Sequence, residues 1–340
     1  MLGKIVRRLS ALLAVAAAVA LPADGAWAQS CPGKPETNSV VLMADWLPVT
    51  VSQGPFWEAK LNGYYAEEGL DVDIIAPANP ADPIKLVARE RVNFSLTYVP
   101  EVMISRDTGI PVISIATTLR KLVSGFMSLE ETALSHPRDL KGKIIGTGPK
   151  LDAQAFLDTL LDTGGLTRKD VKVVDPGFAH IPLTLEKKVD ATHALTYFEQ
   201  ALADVVLQQQ GKPPVRFMHY TDFGVPQFYY QLIVANELWT QRNPNATCAF
   251  LKASMRGHAD WIEGGETSLQ YVVKANDIFS EAEHKLTYDL SYKDWVGPAG
   301  ELFVQEAGPW RTAQDWAMKY KLITVGSDPE SYFTNEYLPK

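Results

Sequence analysis

Ser39-Val40-Val41-Leu42-Met43-Ala44 leads into Asp45-Trp46-Leu47-Pro48, and 21 residues later Gly69-Leu70 delivers the chain to Asp71-Val72-Asp73-Ile74-Ile75. The first run, short and β-branched, reads as a buried strand that Asp45 to Pro48 break. Gly54-Pro55 opens a helix, because proline at the first helical position loses no hydrogen bond. That helix runs to Glu68 and stops at Gly69, a favourable residue just past a helix end. Asp71 to Ile75 is the next strand. A strand, a helix and a second strand in this order form a βαβ unit, which requires a parallel pair.

The alternation continues outward from this unit. Asp82-Pro83 starts a helix through Arg89, Asn93 to Tyr98 is a strand, Glu101 to Thr108 a helix, and Val112 to Thr117 a strand. It restarts at Leu140 to Gly146, with a helix from Asp152 that places Phe156, Leu157, Leu160 and Leu161 on one face. Strands follow at Val171–Val174, Asp190–Ala194 and Val215–His219, separated by helices at Ile181–Glu186 and Tyr197–Gln210. Phe228 to Ala235 is an apolar crossing segment. From Pro244 onward the pattern turns helical. Two α/β lobes are expected, the first interrupted by the second. Lobe I takes 37–124 and 236–340, lobe II takes 125–235, and hinges lie near Leu122–Leu129 and Gln227–Ala235.

The chain's 340 residues, 46% of them apolar, suffice for two cores of roughly 150 residues each. Its 10% aromatic content excludes a solvated random chain. With 32 bases against 40 acids it lacks the Lys/Arg surplus that nucleic-acid binding draws on, so no nucleic-acid partner is expected. The first 28 residues read as a signal peptide. Lys4, Arg7 and Arg8 form the charged region, Ala11 to Leu21 the apolar core, and Ala26-Trp27-Ala28 the small-residue cleavage signal. The mature chain is then exported and acidic. Cys31 and Cys248 either pair in an oxidising compartment or remain thiols. Ala28-Gln29-Ser30 lacks the aliphatic residue that usually precedes a lipidated cysteine, which disfavours a lipid on Cys31.

Catalytic constellations are scarce. The six histidines are dispersed, without the i, i+4 spacing of a helical zinc site, and no G-x-S-x-G elbow or phosphate loop occurs. Gly146-Thr147-Gly148-Pro149-Lys150 lacks the third glycine of a dinucleotide loop, and Pro149 removes an N–H from it. No cofactor, no metal and no catalytic residue is expected. Aromatics, by contrast, gather where strands end and helices begin: Trp46, Phe56, Trp57, Tyr98, Phe178, Tyr197, Phe198, Phe223, Phe228, Tyr229 and Tyr230. In open α/β sheets that edge binds ligands. Glu199, in a first helical turn among these rings, is a carboxylate suited to an amino-bearing heteroaromatic.

These residues resemble the periplasmic binding proteins that deliver thiamine's pyrimidine precursor to an ABC transporter (ThiY-like), related to sulfonate-binding proteins and to eukaryotic pyrimidine synthases. The resemblance rests on Ala44-Asp45-Trp46-Leu47-Pro48, Gly63 to Val72, Pro80-Ala81-Asp82-Pro83, Ser95 to Tyr98, Gly177-Phe178, Phe198-Glu199 and Phe223-Gly224-Val225-Pro226. It implies a type II-like, two-lobed fold whose hinges close on a small-molecule ligand, in a monomer that docks on a membrane permease with its ATPase. It places Trp46 and Tyr98 on one wall of the cleft and Phe178, Tyr197 and Glu199 on the other, and Phe223 and Tyr229 complete the expected ligand-facing set. The chain departs from the family loop: Val49 replaces an asparagine, and Ser52 and Gln53 stand where a histidine is usual. Three other roles fit less well: another small aromatic or sulfonate-type solute, a sensor lobe, or a synthase, whose cysteine-rich iron motif this chain lacks.

Overall fold

A computed structural model describes residues 31–47, 50–148, 150–264, 266–291 and 302–340. The leader expected at 1–28, together with Val49 and Pro149, lies outside the described residues. Among the described residues, ten strands form two five-stranded sheets. They are β1 (Ser39–Met43), β2 (Asp71–Ile75), β3 (Phe94–Tyr98), β4 (Val112–Leu119), β5 (Ser124–Ser128), β6 (Ile144–Gly146), β7 (Lys172–Val174), β8 (Ala191–Leu195), β9 (Arg216–His219) and β10 (Gln231–Asn236). The sheet orders are β2-β1-β3-β10-β4 and β7-β6-β8-β5-β9.

The βαβ reading holds on one side of each sheet, from its edge to its middle strand. β1 pairs in parallel with β2 and β3, and β6 with β7 and β8. Each sheet also carries antiparallel pairs, which the alternation did not announce. β10 runs against β3 and β4, and β5 runs against β8 and β9. β3, β4 and β10 are buried along their whole length, and the hydroxyls of Ser95, Thr97, Ser114, Thr117 and Thr118 are buried with them. The helix expected from Gly54 to Glu68 is two pieces, Gly54–Leu61 and Tyr64–Glu67. Gly63 between them takes a left-handed φ of 78°, which glycine adopts without steric cost.

The chain crosses between the sheets at 120–123 and again at 224–230. Gln227 ties the two crossings together, its Oε1 accepting from the Leu122 N–H at 2.9 Å. The sequence division at 235/236 shifts accordingly, since residues 231–235 belong to β10 in the first sheet. An apolar strand carries no mark of which sheet it joins. The C-terminal helices do not keep to one lobe either. Trp316, in helix Ala307–Lys319, donates through Nε1 to Thr159 in helix Leu151–Thr163 of the second lobe at 2.9 Å. Phe279 likewise packs its edge on Phe198 at 5.5 Å. Cys31 and Cys248 are disulfide-bonded with Cα atoms 5.7 Å apart, so Cys31 holds no lipid and neither sulfur is a free thiol.

Candidate functional site: a cleft at the strand ends

Every parallel strand near the middle of the two sheets ends at one cleft. Asp45 and Trp46 follow β1, and Tyr98 is the last residue of β3. Gly148, Lys150 and Asp152 follow β6, Asp175 and Gly177 follow β7, and Tyr197 and Glu199 follow β8. Tyr230 enters from the second crossing, just before β10. The walls leave about 720 Å³ of non-atom space between them, open solvent at the mouth included. The walls already meet at one side. Trp46 of the first lobe sets its ring against Phe178 at 4.9 Å and His180 at 5.5 Å, both from the second.

Acids at three helix starts face this region. Glu101, Asp152 and Glu199 each occupy the first turn of a helix and are buried. The partial positive charge of a helix N-terminus compensates such a carboxylate. Burial nevertheless dominates, pushing Glu199 and Glu101 each up to about 7 and raising Asp152 as well. Glu199 is the fourth residue of a π-helical turn, Thr196–Gln200, that continues into helix Ala201–Gln209. The wide turn lets its Oε2 reach back and accept from the Leu195 N–H at 2.9 Å. Glu101 is held by the Thr97 hydroxyl.

Lys150 is the cation in this acidic surround. Its Nζ lies 4.2 Å from the centroid of the Tyr98 ring and 5.7 Å from that of Trp46. Its charge draws the pKa values of Glu101, Asp152 and Glu199 downward against burial. Two histidines line the second-lobe wall. His180 Nδ1 contacts Thr192 Oγ1 at 2.9 Å and the His193 carbonyl at 2.8 Å, and His193 Nδ1 contacts the Tyr220 hydroxyl at 2.9 Å. Burial lowers His180 to about 4 and His193 well below its ordinary value, so both rings are neutral near pH 7.

Of the residues singled out from sequence, Trp46, Tyr98, Tyr197 and Glu199 line the cleft. Phe178 stands one layer behind, buttressing Trp46. Phe223 is elsewhere: its carbonyl accepts from Thr163 at the far end of helix Leu151–Thr163, about 20 Å from the cleft end by helix rise. Tyr229 turns away into the hinge, under the Arg120 guanidinium at 5.0 Å, with its hydroxyl accepting from the Glu306 N–H at 3.0 Å. Its neighbour Tyr230 faces the cleft instead. In the departing loop, Gln53 donates to the Leu47 carbonyl at 2.9 Å and serves the loop's shape, whereas Thr50 and Ser52 line the cleft.

Sequence reasoning missed Asp45, Lys150, Asp152, His180 and His193 as cleft residues, and it gathered Phe198 and Tyr230 among the edge aromatics without placing them in the ligand-facing set. The signal available for the first three was position alone, since each follows a central strand by two to six residues.

Residues 52–267 match the family model described as NMT1/THI5 like. A formylaminopyrimidine-binding protein of Halalkalibacterium halodurans is 28% identical over 284 residues, which cover 82% of this chain and 84% of that one. The 4-amino-5-hydroxymethyl-2-methylpyrimidine phosphate synthase THI11 of Saccharomyces cerevisiae is 26% identical over 312 residues, covering 89% and 88%. Among solved structures, the alkanesulfonate-binding protein SsuA from Xanthomonas axonopodis superposes with a TM-score of 0.68 at 12% identity, over 88% of this chain and 99% of that one. The nitrate-binding protein NrtA from Synechocystis gives 0.63 at 14% identity, over 90% and 88%. At such identities the superpositions speak to the fold, which is that of periplasmic binding proteins.

Proposed function

The chain belongs to the NMT1/THI5-like family, and from that premise and the geometry of its cleft we propose that it is the solute-binding component of an ABC importer. It is exported to the periplasm, acts as a monomer, and captures a flat amino-heteroaromatic, such as a thiamine pyrimidine precursor, by closing its two lobes. The observation that carries this reading is Glu199. It is buried in the second-lobe wall of a cleft whose first-lobe wall bears Trp46 and Tyr98.

A charge-assisted hydrogen bond from an exocyclic amine to that carboxylate contributes roughly 1.5–3 kcal/mol, against about 0.5–1.5 for stacking on a ring. The carboxylate therefore selects the ligand and the rings hold it. A ligand that touches both lobes only when they are closed shifts the population toward closure, the form a permease would engage. The relative that binds formylaminopyrimidine supports the solute class.

The synthase relatives favour a second reading, an enzyme. Against it, both cysteines are consumed by the disulfide and cannot ligate iron. That covalent link also accords with an oxidising compartment. Calorimetric titration with 4-amino-5-hydroxymethyl-2-methylpyrimidine and its aminomethyl and formylaminomethyl relatives tests the proposal. Binding by one of them that weakens at least tenfold in Glu199→Gln is expected. Absence of binding by all three, with native mass spectrometry revealing a solute that Glu199→Gln retains, overturns it.

A further inference from the structure

We propose that Asp45 is a second ligand-binding carboxylate, facing Glu199 across the cleft, and that the solute is accordingly a flat cation with hydrogen-bond donors on two edges. This rests on reading the cleft as the solute site and extends it to the substituents the ring must carry.

Asp45 is 3% exposed, at the end of β1. Its Oδ2 accepts twice, from the Tyr98 hydroxyl at 2.5 Å and from Gln231 Nε2 at 2.9 Å. Those bonds fix the carboxylate's plane and hold the Tyr98 ring at the cleft wall. Its Oδ1, equally buried, meets no donor among the described residues, although Asp45 lines the cleft. Buried carboxylate oxygens are almost always hydrogen-bonded, because desolvation without a partner is costly. A buried acceptor oriented by two bonds, set in the wall of a cleft and given no donor by the described residues, is a group whose donor comes from outside the chain.

The charge distribution names the kind of donor. Asp45 and Glu199 feel each other, since the charge on Asp45 helps raise Glu199. A cation between them relieves that repulsion. The chain's own ammonium, on Lys150, already lies over Tyr98 at 4.2 Å and beside Trp46 at 5.7 Å. The aromatic seat is therefore electrostatically matched to positive charge, as expected for a ring face with its negative quadrupole. A flat cationic ring takes the same place, with one donor edge toward Glu199 and the other toward Asp45.

Two ligand pairs differing by one donor arm test this on the full exported chain stripped of bound solute. The first pair is 4-amino-5-aminomethyl-2-methylpyrimidine against 4-amino-2-methylpyrimidine, and the second is 4-aminobenzylamine against aniline. The ratio of dissociation constants within a pair is the readout, because a purely structural defect weakens both members alike. The wild type is expected to favour the armed pyrimidine by at least about tenfold, the scale of one charge-assisted bond. Asp45→Asn brings that ratio to within about twofold, whereas Glu199→Gln weakens both members while keeping it.

A ratio near one in the wild type, or a ratio unchanged in Asp45→Asn, overturns the assignment while leaving the pyrimidine reading standing. Failure of both pyrimidines with an Asp45-dependent preference for 4-aminobenzylamine does the reverse. Failure of all four compounds overturns both. If Asp45→Asn does not fold, the wild-type ratio and its persistence in Glu199→Gln decide the matter.

Discussion

Glu199→Gln should stabilise the ligand-free protein, and by an amount that depends on pH. The carboxyl is pushed from an ordinary 4.5 up to about 7, chiefly by burial. Between those values the folded state holds a proton that the unfolded state has released. Stability from this group is therefore largest below the unfolded pKa and is lost as pH rises toward the folded one. A shift of that size amounts to about 3 kcal/mol once both states are ionised, of which about 2.5 appears between pH 5 and pH 8. Glutamine does not titrate, so the stability gained by the variant over wild type should grow by that amount across the interval. Urea unfolding of ligand-free wild type and variant at pH 5 and pH 8 reads this difference directly, and the other buried acids cancel in the comparison. A gap between the two proteins that stays constant with pH would refute the claim that Glu199 is a desolvated, partly protonated acid at neutrality. The same substitution is expected to weaken amino-heteroaromatic binding, so the residue costs stability in exchange for recognition.

Further outcomes follow from other parts of the structure. In the wild type, affinity for an amino-pyrimidine should fall as pH drops below about 7, the value to which Glu199 is raised, with proton release on binding visible as a buffer-dependent heat. Lys150→Met removes the ammonium that lies over Tyr98 and should strengthen binding of a cationic ring by roughly three- to thirtyfold, as measured by calorimetry. Cys248→Ser opens a bridge between residues 217 apart and should cost about 2–5 kcal/mol in urea unfolding, an effect that reductant reproduces in the wild type. Gly257→Ala should destabilise by about 1–3 kcal/mol through overpacking, because a Cβ there would come within 2.7 Å of the Ala59 Cβ and closer still to the Pro55 carbonyl.

Much of the architecture was legible because its signals are local. Gly54-Pro55, Gly69 and the strand at Asp71–Ile75 punctuate the first βαβ unit where the structure punctuates it. What local signals cannot carry is partnership. β10 reads as a buried strand, but nothing within it says that it lies between β3 and β4. The cleft divides the same way. Trp46, Tyr98, Tyr197 and Glu199 stand at the strand ends where ligands gather, and the family resemblance singles them out among the residues there. Tyr229 and Tyr230 differ by one position, and adjacent residues in extended chain face opposite ways. Composition alone cannot choose between them. His180 and His193 lie 13 positions apart on a helix and the strand that follows it, so their meeting depends on how those two elements pack. Asp45 was visible as a breaker of β1 and as part of the segment that carries the family resemblance, but an acid beside a strand end is ordinary until its two oxygens are seen to have different surroundings.

The interleaving of β10 sets an order of assembly. β5 through β9 are consecutive in the chain, so the second sheet has all its strands once His219 has emerged. The first sheet has a gap between β3 and β4 that only residues 231–236 fill. A chain delivered amino end first therefore finishes its second lobe before its first. Until then the long apolar edges of β3 and β4 stand open, a stage at which a chaperone's protection would count most.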